Sequence, residues 1–251
     1  SEIKLNYQAG LEYKQQALDM YKRIYEDRPH PDTARALFDV GWTYSYARLG
    51  NYAKSLNYFS DTLEMYKRIY RDPHRDTARS LLEIGRVYER MDRVGEGVDF
   101  KLLALNMYKR INPAPNPDTA NALLEVAWGY WNKNSDEEHL TEKSLEYFKK
   151  ATAMYEYIHN KGDHPDTANA YLGLGWGYWN NGNTIEGIRY KQKAVEMYKR
   201  IHGDHPHLDT ARALLDLGWA YERTGNAKDS LIALKKAAKM YIKLYGVHHP
   251  N

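Results

Sequence analysis

One short phrase returns six times along this 251-residue chain, and its spacing limits the fold more than any other feature. It reads ALDMYKRIY at 17–25, TLEMYKRIY at 62–70, ALNMYKRI at 104–111, ATAMYEYI at 151–158, AVEMYKRI at 194–201 and AAKMYIKLY at 237–245. Its first residues, Ala17, Thr62, Ala104, Ala151, Ala194 and Ala237, lie 45, 42, 47, 43 and 43 positions apart. Six of the seven methionines (Met20, Met65, Met107, Met154, Met197 and Met240) share one place in it. A period in the range of about 20 to 50 residues marks a stacked-repeat architecture, because one such unit cannot bury its apolar face alone.

The phrase ends one of two alternating helix types. Seven residues before each start stands another small residue: Gly10, Ser55, Gly97, Ser144, Gly187 and Ser230. Two small residues at that spacing share a helix face and admit a close neighbour. The other helix type reads LFDVGWTY, LLEIGRVY, LLEVAWGY, YLGLGWGY and LLDLGWAY. Its apolar stripe, as in Leu37, Val40, Gly41 and Tyr44, has the i, i+3, i+4, i+7 spacing of an amphipathic helix. HPDTA, HRDTA, NPDTA, HPDTA and LDTA precede these helices, so Asp and Thr are expected as N-caps with Pro just outside the first turn. His30, His74, His164 and His205 are read as turn packing and capping residues, too far apart to gather one metal.

These segments resemble tetratricopeptide repeats, in the longer-period variety of kinesin light chains and nephrocystin-like arrays. The Leu-Gly and Tyr places of the family pattern are kept with conservative swaps. Leu or Tyr replaces its leading Trp, and Gly or Ser replaces Ala on the second helix. Phe survives only as Phe59 and Phe148, with Lys14, Lys101 and Lys191 at that place elsewhere. The resemblance covers essentially the whole chain. It implies an all-α, right-handed α-solenoid of antiparallel helical hairpins, about five and a half units long, forming one array over 1–251. The units are a half repeat at 1–29, then 30–73, 74–115, 116–163, 164–206 and 207–251. This phase leaves half-repeats at both ends. The sequence is therefore expected to continue past Ser1 and Asn251, and exposed half-repeats could stack end to end. The connection at 132–143 is longer than its equivalents, and Asp136, Glu137 and Glu138 in it read as solvated loop.

Composition excludes several functions. Net charge is +3 with 27% charged residues of both signs, which is no electrostatic footprint for nucleic acid. No apolar run is long enough for a transmembrane helix. Cysteine is absent, which removes disulfides and thiolate metal sites and points to a cytoplasmic setting. No phosphate loop, His-Glu-x-x-His or nucleophile elbow occurs, so neither enzyme activity nor a cofactor or metal is expected. The 23 Tyr against 4 Phe suit a shallow core in which many rings keep a hydroxyl near water.

The candidate site follows from the tryptophans. Trp42, Trp128, Trp176 and Trp219 occupy one equivalent place, with Arg86 in the fifth, and Trp131 and Trp179 lie one turn further on. At 100° per residue, Arg35, Asp39, Trp42 and Tyr46 fall opposite the apolar stripe. In the family resemblance the first helices line a concave groove, which would take an extended or helical peptide. The rings could seal neighbouring helices or form a stacking surface for a ligand; both readings stand. Arg35/Asp39, Arg79/Glu83 and Arg212/Asp216 have the i, i+4 spacing of helix ion pairs. Repeats three and four instead carry Asn121, Asn169 and Gly173, both extra tryptophans, and Asn132 and Asn180, and are the first choice for a site. Kinesin light chains bind peptide backbone through Asn pairs in an LNNLA segment; here the corresponding segments, LFDVG to LLDLG, lack the pair. A basic or aromatic-containing partner segment fits the acidic residues of this face best. The function expected is a non-catalytic protein-interaction module. The alternative is a structural or self-assembling array, or the sensor portion of a larger protein.

Overall fold

A computed structural model describes residues 2–45, 50–133, 138–203 and 205–246. Among these residues the chain forms eleven α-helices and no strand. They are α1 (Glu2–Ile24), α2 (Pro31–Ser45), α3 (Tyr52–Ile69), α4 (Arg75–Arg90), α5 (Val94–Ile111), α6 (Pro117–Asn132), α7 (Glu138–Ile158), α8 (Pro165–Asn180), α9 (Thr184–His202), α10 (Leu208–Arg223) and α11 (Ala227–Tyr245). They fall into two compact units, Ser1–Ala114 and Pro115–Asn251. Inside each unit every helix packs on the one before and the one after, with the hairpin partners α2/α3, α4/α5, α6/α7, α8/α9 and α10/α11 most intimate. This is the helical-hairpin solenoid arrangement that the period implies. The acidic run Asp136 and Glu137 lies outside the described residues, as does the side chain of Glu138.

The small residues explain why hairpin helices approach so closely. Ser55 Oγ donates to the Gly41 carbonyl at 2.8 Å, and Ser144 Oγ to the Ala127 carbonyl at 3.0 Å, each across a hairpin. In repeats two and four the serine is glycine, and the backbones come nearer still. A Cβ on Gly85 would stand 2.8 Å from the Gly97 carbonyl oxygen, and one on Gly175 2.9 Å from that of Gly187. Ala34, Ala78, Ala120, Ala168 and Ala211 are fully buried at the equivalent place of each first helix. Tyrosines pair across four hairpins as parallel stacks: Tyr44–Tyr58 and Tyr130–Tyr147, with Tyr178–Tyr190 likewise and Tyr88 on Phe100.

The helix starts bear out histidine as a capping residue and differ from expectation in the roles of Asp, Thr and Pro. Histidine caps α4, α8 and α10: Nδ1 of His74, His164 and His207 accepts the N–H of Asp76, Asp166 and Asp209 at 3.2, 3.2 and 3.3 Å. Asn116 caps α6 through the Thr119 N–H at 2.9 Å. The aspartates sit inside the first turn, where a carboxylate faces the positive helix end, and the threonines are buried. Proline occupies the first turn of α6 and α8 rather than a place outside it, since its missing N–H costs nothing there. In the last repeat His207, not His205, is the cap.

Candidate functional site

Within the second unit the first helices α6, α8 and α10 present their tryptophans to one another. Trp128 packs edge-on against Trp131 (5.5 Å between ring centroids) and against the buried Phe148 of α7 (4.9 Å). Trp131 in turn meets Trp176 of α8 edge-on at 6.0 Å. Trp176 Nε1 donates to Asp216 Oδ2 of α10 at 3.1 Å. These contacts make a continuous chain from α6 to α10. Trp176, Trp179 and Trp219 then surround a cleft of about 320 Å³, completed by Lys191, Ala220, Glu222 and Arg223.

Helix α8 can carry two indoles here because its other face is stripped of side chains. Gly173 and Gly177 lie against the Phe148 ring, and Gly175 lies against the stem of Lys191. Lys191 sits where Phe59 and Phe148 sit in other repeats, and like them is fully buried. Its Nζ lies 3.1 Å from the centre of the Trp176 ring and 5.8 Å from that of Trp179. No hydrogen-bond acceptor reaches it. Burial lowers its pKa to about 8, against the opposing pull of Asp216. Burial likewise raises Asp216, opposed by Lys191 and by the Trp176 hydrogen bond. An ammonium held against an indole face is a favourable but incomplete substitute for water.

The other expected residues take varied positions. Trp42 is exposed on α2 with Lys14 Nζ 5.8 Å from its ring, while that amine donates to Thr43 at 2.7 Å. Arg86 pairs with Glu83 one turn away. Asn132, Asn169 and Asn180 are exposed on α6 and α8. Tyr46 lies outside the described residues. The expected ion pairs do not form: Glu83 engages Arg86, Arg79 stacks on Phe38 at 4.6 Å, and Asp216 accepts from Trp176. Partners from neighbouring helices and a better-placed turn outcompete the i, i+4 geometry. Lys191 was legible only as a lysine at a phenylalanine place.

Two histidine clusters, His159/His164/Asp166 and His202/His207/Asp209, bring possible metal-ligand atoms together. Their imidazoles are stacked face to face at 3.5 Å, so the in-plane lone pairs run parallel and do not converge on one ion. Tyr25 on His30 and Tyr70 on His74 make the same stack, which identifies it as the packing of each linker onto the preceding helix.

The geometry defines a helical-hairpin repeat protein with an aromatic cleft on the first-helix side of its second unit. The tetratricopeptide repeat family model matches residues 45–110 and 177–243, and the chain belongs to that family, whose fold serves protein–protein interaction. No curated protein matches the sequence. Among solved structures, BtubC (BKLC) from P. vanneervenii superimposes with a TM-score of 0.78 at 15% identity, covering 98% of this chain and 94% of that one. A Podosopora anserina kinesin light chain protein with nearly identical TPR-like repeats gives 0.68 at 16% identity, over 86% of this chain and 98% of that one. A Rap protein complexed with Competence and Sporulation Factor gives 0.69 at 15% identity, over 90% of this chain and 58% of that one. These likenesses establish the fold. No described helix is long and apolar enough to cross a membrane.

Proposed function

We propose that this chain is a non-catalytic, cytoplasmic interaction module that binds a peptide or protein segment on the face carried by α8 and α10. The cleft among Trp176, Trp179 and Trp219 carries this reading. Trp219 is 46% exposed, and tryptophan is enriched among the residues that dominate binding energy at interfaces. The solved Rap complex, in which the related fold holds a factor, supports it by analogy. In this reading Trp128 and Trp131 brace the wall, while Asn169 and Asn180 are exposed amides on the helix that carries Trp176 and Trp179.

Selection of displayed peptides against the whole chain tests this, with Trp219→Ala and Trp179→Ala as counter-screens. Selected peptides should lose about tenfold or more in affinity on either variant, as hot-spot truncations do, while melting stays close to wild type. Peptides indifferent to both substitutions would sink the assignment.

Self-assembly is the second reading, favoured by one observation. Leu208, Leu215, Leu234, Tyr241, Ile242 and Tyr245 line an apolar hollow of about 620 Å³ on α10 and α11. A concentration-dependent rise in sedimentation coefficient that Ile242→Lys abolishes would support it; a monomer at every concentration would end it.

A further inference from the structure

Repeats two and four contain the same buried lysine in the same clamp. A Cβ on Gly85 would stand 2.9 Å from Lys101 Cγ, and one on Gly175 2.8 Å from Lys191 Cγ. Their ammonium groups fare differently. Lys101 Nζ donates to Glu89 Oε1 at 2.6 Å. Glu89 lies three residues after Arg86 on α4; the residue at the same register of α8, three after Trp176, is Trp179. The carboxylate that satisfies the lysine in repeat two is thus an indole in repeat four. Lys191 Nζ is left fully buried with no hydrogen-bond acceptor. Asp216 does not fill the gap, because it accepts from Trp176 Nε1 and forms no ion pair with Lys191. A buried ammonium lacking an acceptor is among the least favourable arrangements in a protein.

We propose that the Trp176/Trp179/Trp219 cleft is a carboxylate site, in which an acidic group of a bound peptide meets Lys191 Nζ as Glu89 meets Lys101. An apolar side chain next to that group lies against the three indoles. Arg223 at the mouth adds a second cation, offset by Glu222. The lowered Lys191 pKa agrees, since an arriving anion restores the stabilisation that burial removed. This assignment rests on the peptide-binding reading and specifies its chemistry. It also narrows the earlier expectation of a basic or aromatic segment: the aromatic or aliphatic part remains, but the charge at this point is negative.

Three probes on the full chain separate the possibilities: Ac-Leu-Gln-Leu-amide, Ac-Leu-Glu-Leu-amide and Ac-Leu-Gln-Leu with a free C-terminal carboxylate. Indole N–H signals of the ¹⁵N-labelled protein report binding at each tryptophan. The neutral probe binds weakly, and one carboxylate probe binds about tenfold or more tightly, the gain of a charge-assisted hydrogen bond in a desolvated site. Which one gains tells a side-chain carboxylate from a chain terminus. Lys191→Met brings the carboxylate probes down to the affinity that the variant has for the neutral one; phenylalanine at this place in other repeats shows that the fold accepts an apolar side chain. Trp179→Glu, which restores the arrangement of repeat two, also removes it. Equal binding of all three probes, or discrimination that survives both variants, overturns the carboxylate assignment and leaves the peptide-binding reading intact. Absence of any shift at millimolar probe overturns it too, and peptide selection then decides the broader reading on its own.

Discussion

Replacing Lys191 by methionine should change how stability depends on pH, in a direction fixed by burial. The lysine pKa is about 8 in the fold against 10.5 for the ordinary group. At about 1.4 kcal/mol per unit, the folded state carries a cost of about 3 kcal/mol while the lysine is charged. The side chain has no solvent exposure, so no screening discount applies. The unfolded chain holds this proton more tightly, so wild-type stability rises with pH between about 8 and 10.5. Below that window both states are protonated and the full cost remains; above it both are neutral and the cost is gone. Lys191→Met lacks the titration. The stability of the variant relative to wild type should therefore fall by about 2 kcal/mol between pH 7 and pH 10. Tyr155, Tyr171 and Tyr198, whose pKa values burial raises, erode both proteins equally above pH 10 and cancel. Methionine also deprives Asp216 of its nearest positive charge, so the comparison is repeated on an Asp216→Asn background, where the slope must persist. Denaturant unfolding followed by circular dichroism at each pH measures it. A difference that stays flat from pH 7 to 10 would refute the picture of an uncompensated buried ammonium.

Glycine at position 173 leaves room for a phenyl ring: an added Cβ would meet Phe148 Cε1 at 2.6 Å. Gly173→Ala should destabilise by about 1–3 kcal/mol through overpacking, whereas Gly95→Ala, with nothing within 4 Å, should stabilise by up to about 1 kcal/mol; thermal melts of both give the contrast. Asn116→Ala removes the α6 cap and should cost about 1 kcal/mol in the same assay. His159 is held below its usual pKa by burial and by His164. As pH falls below 6.5 the unfolded chain takes up that proton first, so stability is lost in acid; His159→Tyr, which recreates the Tyr–His stack of Tyr25 and His30, should lessen that loss in acid-unfolding curves.

The repeat and its hairpins were legible because identical packing problems were solved with the same small residues each time, Ser55 and Gly97 among them. The caps were legible only in part: histidine was read as a capping residue, but Asp and Thr were expected to share that work, because HPD gives no hint which residue turns inward. The tryptophan register placed Trp128, Trp176 and Trp219 at equivalent positions. It could not show that Trp128 meets a phenyl ring, Trp176 an aspartate of the next repeat, and Trp219 solvent over nearly half of its surface. Those contacts cross between helices, where single-helix periodicity is silent. The burial of Lys191 was hidden for the opposite reason: lysine reads as surface, and only alignment of the repeats sets it beside Phe59 and Phe148.

Helix α8 holds Gly173, Gly175 and Gly177 within two turns, and each glycine costs an isolated helix about 1 kcal/mol relative to alanine. Its two indoles are thus mounted on a segment that would not stay helical by itself. Phe148 on one side and Lys191 on the other supply the order that its own backbone lacks. The cleft therefore depends on helices beyond those that carry its indoles, and loosening α7, which contributes no residue to its lining, would blunt recognition as surely as removing an indole.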